Sequence, residues 1–253
     1  MPFSWATNTV LSNFEAGSNY KDIEDPSVII TFPTVKDPNK KILGWTTTPW
    51  TLPSNLFLAC NPKITYVEIE VPFKGQKETY ILAEPRLKPV LKLLNIKEKD
   101  CKVIKKMKGE ELAGTEYIPL FDYFYEIYKP KGCFKVYLAD YVTTEDGTGI
   151  VHNAPGFGED DYKVGCQNNL VDPDKPLCPI DDDGCFTEEV PLVAGKQFKA
   201  ADPIITEHLK SKGRMIYSGK ITHSYPFCYR TETPLIYRAI PSWFIKVEDY
   251  IKN

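Results

Sequence analysis

Ser27–Phe32 (SVIITF) is a run of β-branched and aromatic residues, and Lys41–Trp45 (KILGW) follows it across a polar turn at Lys36–Lys40. Runs of this kind bounded by turn residues read as strands, and two so close together read as a hairpin. The rest of the chain continues in the same manner. Thr65–Val71 alternates apolar and polar residues, and Glu78–Ala83 follows after a turn around Gly75. Cys101–Lys106 and Phe134–Ala139 are further strands, and Gly147–His152 rises from a glycine turn into a short apolar one. Gly184–Phe186 follows an acidic turn at Asp181–Asp183. Helices are expected at Pro85–Leu94, Asp160–Gln167 and Asp202–Lys212. The first carries Leu87, Val90, Leu91 and Leu94 at helical spacing. The last has Asp202 as N-cap, Pro203 at the first position and Gly213 as stop. Many short strands with few helices predict an α+β fold, a β-barrel-like core with peripheral helices.

Outside this region the character changes. Residues 1–25 are polar and irregular. The tail after Gly219 is aromatic, with Tyr225, Phe227, Tyr229, Tyr237, Trp243 and Phe244, and should pack on something such as the N-terminal segment. Both ends read as connectors around a core at 26–219, the pattern of an excised insertion. The first residues, MPFSWATNTVLSNF, lack the basic and apolar regions of a signal peptide. No stretch approaches the roughly 20 apolar residues that span a bilayer, so no membrane contact is expected. Seven cysteines, an odd number without CxxC spacing, fit buried thiols in a reducing, cytoplasmic setting. A net charge of −3 argues against a grip on a long duplex but leaves room for a single-stranded end.

Two segments carry candidate chemistry. Gly44–Asn55 (GWTTTPWTLPSN) places Thr46, Thr47, Thr48 and Thr51 between two tryptophans and two prolines. Their hydroxyls donate and accept hydrogen bonds, and a backbone stiffened by Pro49 and Pro53 can place several such groups around an ester and a ribose. Taken alone, the segment also fits an exposed, threonine-rich β-edge. Gly147–Tyr162 (GTGIVHNAPGFGEDDY) offers close backbone approach at Gly147 and Gly149, then His152, then Asp160 and Asp161 at a helix start. Taken alone, the acids fit a helix-dipole role, worth about 0.3–1 kcal/mol. His152 alone equally fits a core histidine bonded to backbone. The glycines lack GxGxxG spacing, so no dinucleotide site is expected.

Together the two segments resemble the signatures of the editing domain inserted into isoleucyl-, valyl- and leucyl-tRNA synthetases. LSNFEAGSNYKDIEDPSV, GTEYIPLFDYF and THSYPFCYRTETPLIYRAIPSWF resemble the isoleucyl type, in its eukaryotic cytosolic form. The resemblance covers almost the whole chain, and the synthetic signatures HIGH and KMSKS are absent from it. It implies an editing core at 26–219, joined by connectors at 1–25 and 220–253 to the synthetase body. It implies hydrolysis of valine from Val-tRNA(Ile), with valyl-adenylate a further substrate, no cofactor and no metal. The implied partners are the 3′ CCA end of tRNA(Ile) and the rest of the synthetase. Clearance of threonine from tRNA(Val), or simple binding of the tRNA end, are the alternatives.

Residue by residue, Asp161 matches the acid that binds the substrate's α-ammonium, and His152 matches the side-chain pocket that excludes isoleucine. Trp45, Thr46, Thr47 and Thr48 match the strip that contacts the terminal adenosine and the aminoacyl group. Asn55 matches a further polar position. Thr51, Gly149 and Asp160 complete the implied substrate-binding set. Water is the implied nucleophile. The chain departs from the family pattern at Asn153 and Gly156, changes expected to widen the pocket rim.

Weaker signals remain. Six lysines at Lys97–Lys108 read as a solvated face before they read as a phosphate contact. Asp181–Gly184 fails the calcium-loop pattern, because Cys185 falls where a ligand should be. Cys178, Cys185 and Cys228 lack structural zinc spacing.

Overall fold

The computed structural model describes residues 1–240 and Val247. In chain order the first elements are β1 (Pro2–Ser4), β2 (Thr9–Val10), α1 (Asn13–Gly17), β3 (Tyr20–Pro33) and β4 (Lys40–Thr46). Next come β5 (Phe57–Cys60), β6 (Thr65–Phe73), β7 (Gln76–Ala83), α2 (Leu87–Leu93) and β8 (Lys102–Lys108). The short α3 (Gly109–Leu112) and α4 (Tyr125–Tyr128) precede β9 (Val136–Leu138) and β10 (Ile150–Asn153). The chain then forms α5 (Glu159–Gln167), α6 (Phe198–Ser211), β11 (Met215–Pro226) and β12 (Ile236–Tyr237).

The expected hairpin is present: β3 pairs antiparallel with β4, from Val28↔Thr46 to Pro33↔Lys41. It is the centre of a nine-stranded mixed sheet. The far side of β4 is shared. Lys40–Ile42 pair in parallel with β7, and Trp45 pairs in parallel with Val151 of β10. The sheet therefore forks at β4. One arm runs β7–β6–β8 and the other β10–β5–β9, giving a partly rolled barrel. Thr148 plugs the fork: its hydroxyl donates to Leu43 O (2.7 Å) and its carbonyl accepts from Ala83 N (2.9 Å).

Both faces of the sheet are covered. Val28, Ile30, Phe32 and Ile42 point into the main core with Leu58, Phe134 and Ile150. Ile29, Leu43, Val67, Ile69 and Leu82 point the other way and pack under Val90 and Leu91 of α2. The alternation of β3 thus serves two cores, which is why Val28, Ile29 and Ile30 are apolar in succession and the whole of SVIITF is buried.

The strand β3 begins at Tyr20, earlier than its apolar run indicates, because β11 pairs with it along Tyr20↔Pro226 to Ile30↔Met215. This ribbon crosses residues 25 and 219 without interruption. The aromatic tail does meet the N-terminal segment, since β1 pairs with β12 (Phe3↔Ile236) and with β2. Trp243 and Phe244 lie outside the described residues.

The helix expected at Asp202–Lys212 starts one turn earlier. The Gln197 side chain accepts from the amides of Lys199 and Ala200 and is its true N-cap. Asp202 and Pro203 lie inside α6, so they were misplaced as cap and first residue. On the basic edge strand β8, Lys105 pairs with Glu111 and Lys106 with Glu84.

Candidate active site

The fork in the sheet opens a cavity of about 400 Å³ at the end of β4 and alongside β10. After Thr46 the chain leaves β4 through Thr47 and Thr48 into a 3-10 turn, Pro49–Ser54. All six residues of that turn are buried, and β4 is paired on both sides, so the segment is not an exposed edge. Trp50 wedges the turn in place, edge-on to Phe157 and to Phe198 at 5.0 Å each.

The threonines form a linked strip on the cavity wall. Thr46 and Thr48 hydroxyls lie 3.1 Å apart, and Thr48 N donates to Thr46 Oγ1. Thr51 Oγ1 donates to Thr48 O (2.8 Å) and contacts His152 Nε2 (2.8 Å). Thr47 lines the cavity beside them.

The bonds around His152 fix its tautomer. Tyr117 donates its hydroxyl to Asn55 Oδ1 (2.7 Å), and Asn55 Nδ2 donates to Phe57 O. The same Nδ2 faces His152 Nδ1 at 3.3 Å, so Nδ1 accepts and Nε2 carries the proton. Nε2–H then donates to Thr51, whose own proton goes to Thr48 O. Burial pulls the imidazole down to about 4. His152 is a neutral wall of the cavity with both nitrogens engaged, not a base. Asn55 does not line the cavity; it stands behind His152 and holds the ring.

Asp161 also lines the cavity. It sits in the first turn of α5, and its Oδ2 accepts from Ala154 N at 2.7 Å. Burial pushes its carboxyl up to about 6; the Ala154 amide opposes this and the Asp160 charge adds to it. Asp160 itself is exposed and outside the cavity.

Trp45 lines the cavity with its indole anchored by Nε1–H to Ser27 Oγ (2.9 Å). Gly149 also lines it, at φ +72°, where a Cβ would stand 2.3 Å from that of Ala83. The rim is not widened at Asn153 and Gly156, for neither lines the cavity. Asn153 is buried and accepts the Tyr141 hydroxyl at 2.9 Å. A Cβ at Gly156 would meet the Leu177 carbonyl, so the glycine serves a backbone crossing.

The remaining wall is the loop Tyr141–Thr148, whose stretch before Gly147 sequence patterns did not single out. It contributes Tyr141, Glu145 and Asp146. Arg86 holds it from outside, donating to Gly147 O (2.9 Å) and Glu145 O (2.7 Å). The acid-rich approach to the Gly147 turn was the available signal. Among the described residues, three carboxylates and no lysine or arginine line the cavity, which favours a cationic group and disfavours a phosphate inside it.

A family model described as tRNA synthetases class I (I, L, M and V) matches residues 1–253. The chain belongs to the class I tRNA synthetases. This synthetase chain is 49% identical to the cytoplasmic isoleucine–tRNA ligase of Mus musculus over 252 residues, 99% of the chain and 19% of that protein. It is 51% identical to the isoleucine–tRNA ligase of Tetrahymena thermophila over 248 residues, 98% of the chain and 22% of that protein. It thus spans about a fifth of the length of these relatives. Among solved structures, the P. falciparum cytosolic leucyl-tRNA synthetase editing domain superposes with a TM-score of 0.54 at 11% identity. That match covers 79% of this chain and 100% of that one, so the synthetase chain has the editing-domain fold.

Proposed function

We propose that the cavity is a proofreading site that hydrolyses valine from mischarged tRNA(Ile), within a cytoplasmic isoleucyl-tRNA synthetase. One observation carries this reading: a half-buried carboxylate, Asp161, lines the same cavity as a strip of threonine hydroxyls, with no lysine or arginine among the described residues that line it. The isoleucine–tRNA ligase relatives and the editing-domain fold support it. The need for such a site is general. One missing methylene is worth about 1–3 kcal/mol in a binding pocket, and isoleucine against valine is itself the general example of that limit.

In this reading the Asp161 carboxylate takes the α-ammonium of the aminoacyl group in a charge-assisted hydrogen bond. Thr46, Thr47 and Thr48 hold the terminal ribose and the ester, beside Trp45. His152 bounds the side-chain space. A water oxygen adds to the ester carbonyl carbon, the bond to the ribose oxygen breaks, and that oxygen takes up the proton. The products are valine and tRNA with a free 3′-end hydroxyl. No protein nucleophile is needed, because an aminoacyl ester is activated and positioning supplies the rest. The outer ends of the β3–β11 ribbon and the small β1–β2–β12 sheet then serve as the connectors to the synthetase body.

Deacylation of Val-tRNA(Ile) and Ile-tRNA(Ile) by the full-length protein tests the assignment. Wild type clears the valyl ester and spares the isoleucyl one, and Asp161→Ala loses roughly 100-fold or more of the valyl activity. Normal clearance by Asp161→Ala would remove the site from this cavity.

A further inference from the structure

Asp202 has no part in the cavity wall, yet its placement is unusual. It stands inside α6 and is only 6% exposed, although an ionisable side chain on a helix ordinarily faces water. Its Oδ1 accepts the amide hydrogen of Trp50 at 2.8 Å. Trp50 is the second residue of the 3-10 turn Pro49–Ser54. The first amides of a helical turn have no partner within it, and the residue just before the turn usually supplies one. Here that residue is Thr48, and its side chain makes no capping bond. Its hydroxyl is directed instead at Thr46 (3.1 Å) and Thr51 (3.3 Å).

We propose that Asp202 is a positioning residue that caps the Pro49–Ser54 turn from across the core and so releases the Thr48 hydroxyl to the cavity strip. The proposal rests on reading the cavity as a hydrolytic site. The surroundings of Asp202 fit this task. The neighbouring Lys199 ammonium is taken up by Asp25, at 2.7 Å from both oxygens, and His223 lies on the same carboxylate at 2.9 Å. The Asp202 oxygen is thereby left to the Trp50 amide. Burial pushes the Asp202 carboxyl up to about 7, against the Lys199 charge and the Trp50 bond. Either protonation state keeps an oxygen able to accept that amide. A second contact aligns α6 with the turn: Trp50 lies edge-on to Phe198, the first residue of α6. The very next residue, Thr51, carries the bonds to Thr48 O and to His152. A shift of the turn therefore reaches the strip and the histidine together.

The test compares Asp202→Ala, Asp202→Asn and Asp202→Glu in the full-length protein. The readouts are kcat and KM for Val-tRNA(Ile) hydrolysis, hydrogen exchange of the Trp50, Thr51, Leu52 and Ser54 amides, and the melting temperature. Asp202→Ala is expected to lose roughly 10- to 100-fold in kcat with KM within about threefold, and to speed exchange at 50–54 but not within α6. Asp202→Asn keeps an acceptor and should retain hydrolysis within about threefold and slow exchange. Asp202→Glu keeps the charge but overshoots the amide, so its kcat falls at a near-native melting temperature even if Asp202→Ala fails to fold. Wild-type kcat in Asp202→Ala or Asp202→Glu overturns the proposal, as does an Asp202→Asn protein as defective as Asp202→Ala. If wild type itself does not hydrolyse the ester, the reading of the cavity fails. Exchange then decides separately, and unchanged protection of Trp50 in Asp202→Ala or Asp202→Glu overturns the cap.

Discussion

His152 faces the cavity with no free lone pair, since Nδ1 is turned to Asn55 and Nε2 to Thr51. Titration of the site near neutrality therefore belongs to Asp161. Burial raises that carboxyl to about 6, whereas it lowers His152 to about 4. An ammonium is held by the ionised acid, so kcat/KM for valyl ester hydrolysis should fall as pH drops through about 6. A pH–rate profile checks this. The inflection should survive in His152→Gln and vanish in Asp161→Asn, which stays low throughout. An unchanged acid limb in Asp161→Asn would assign it to another group. Two short segments named the residues that carry chemistry in this reading, but their roles came only with the family resemblance, since each segment alone also fitted an ordinary strand or helix start. The role of Tyr117 was not legible, because it acts through a long-range hydrogen bond to Asn55, and Asn153 was noticed but its part as acceptor for Tyr141 was not readable.

At the scale of elements, the strands were legible where a β-branched or alternating pattern extended over five residues or more, as in β3, β6 and β7. The pairs β1, β2 and β12 are two or three residues long and carry no period to read. The 3-10 turn looked like a strand edge because threonine favours strands, but Pro49 and Trp50 turn it into the core. Asp202–Pro203 imitated a helix start, while Gln197 made one. The loop before Gly147 was unreadable for another reason: Arg86, and the Leu43 and Ala83 backbone that holds Thr148, are distant in sequence and give it its shape. That dependence predicts the effect of Gly149→Ala. The new methyl meets Ala83 Cβ in a left-handed backbone. Denaturant unfolding should show a loss of about 2–5 kcal/mol, the left-handed backbone and the overpacking together. At Gly75, also left-handed but with open space around it, Ala should cost only about 1–2 kcal/mol. Equal costs would mean that the loop yields to the methyl.

Across the whole molecule the buried acid is a burden on stability. Asp161 titrates at about 6 in the native state against 3.8 in a free chain, so the native state holds its proton more tightly. Its contribution is present below 3.8 and is lost as pH rises through about 6. Asp161→Asn should therefore melt higher than wild type at pH 8, by a free energy on the order of 3 kcal/mol, and match it near pH 4. The sign for His152 is opposite: its native pKa is depressed, so stability falls as pH drops from 6.5 towards 4. Melting curves at four pH values separate the two. A variant that gains stability while losing hydrolysis would mark Asp161 as kept for function.

The ribbon of β3 and β11 has one further effect on the molecule. Tyr20 and Pro226 are register partners, so two points more than 200 residues apart in sequence are separated by about one strand spacing. To any chain that carries it, the nine-stranded body has the footprint of a hairpin loop. Loop-closure entropy grows only with the logarithm of the length left free, and here the closure is made by the body's own ladder. A host fold can accept or lose such a graft at a single turn without re-registering its own strands.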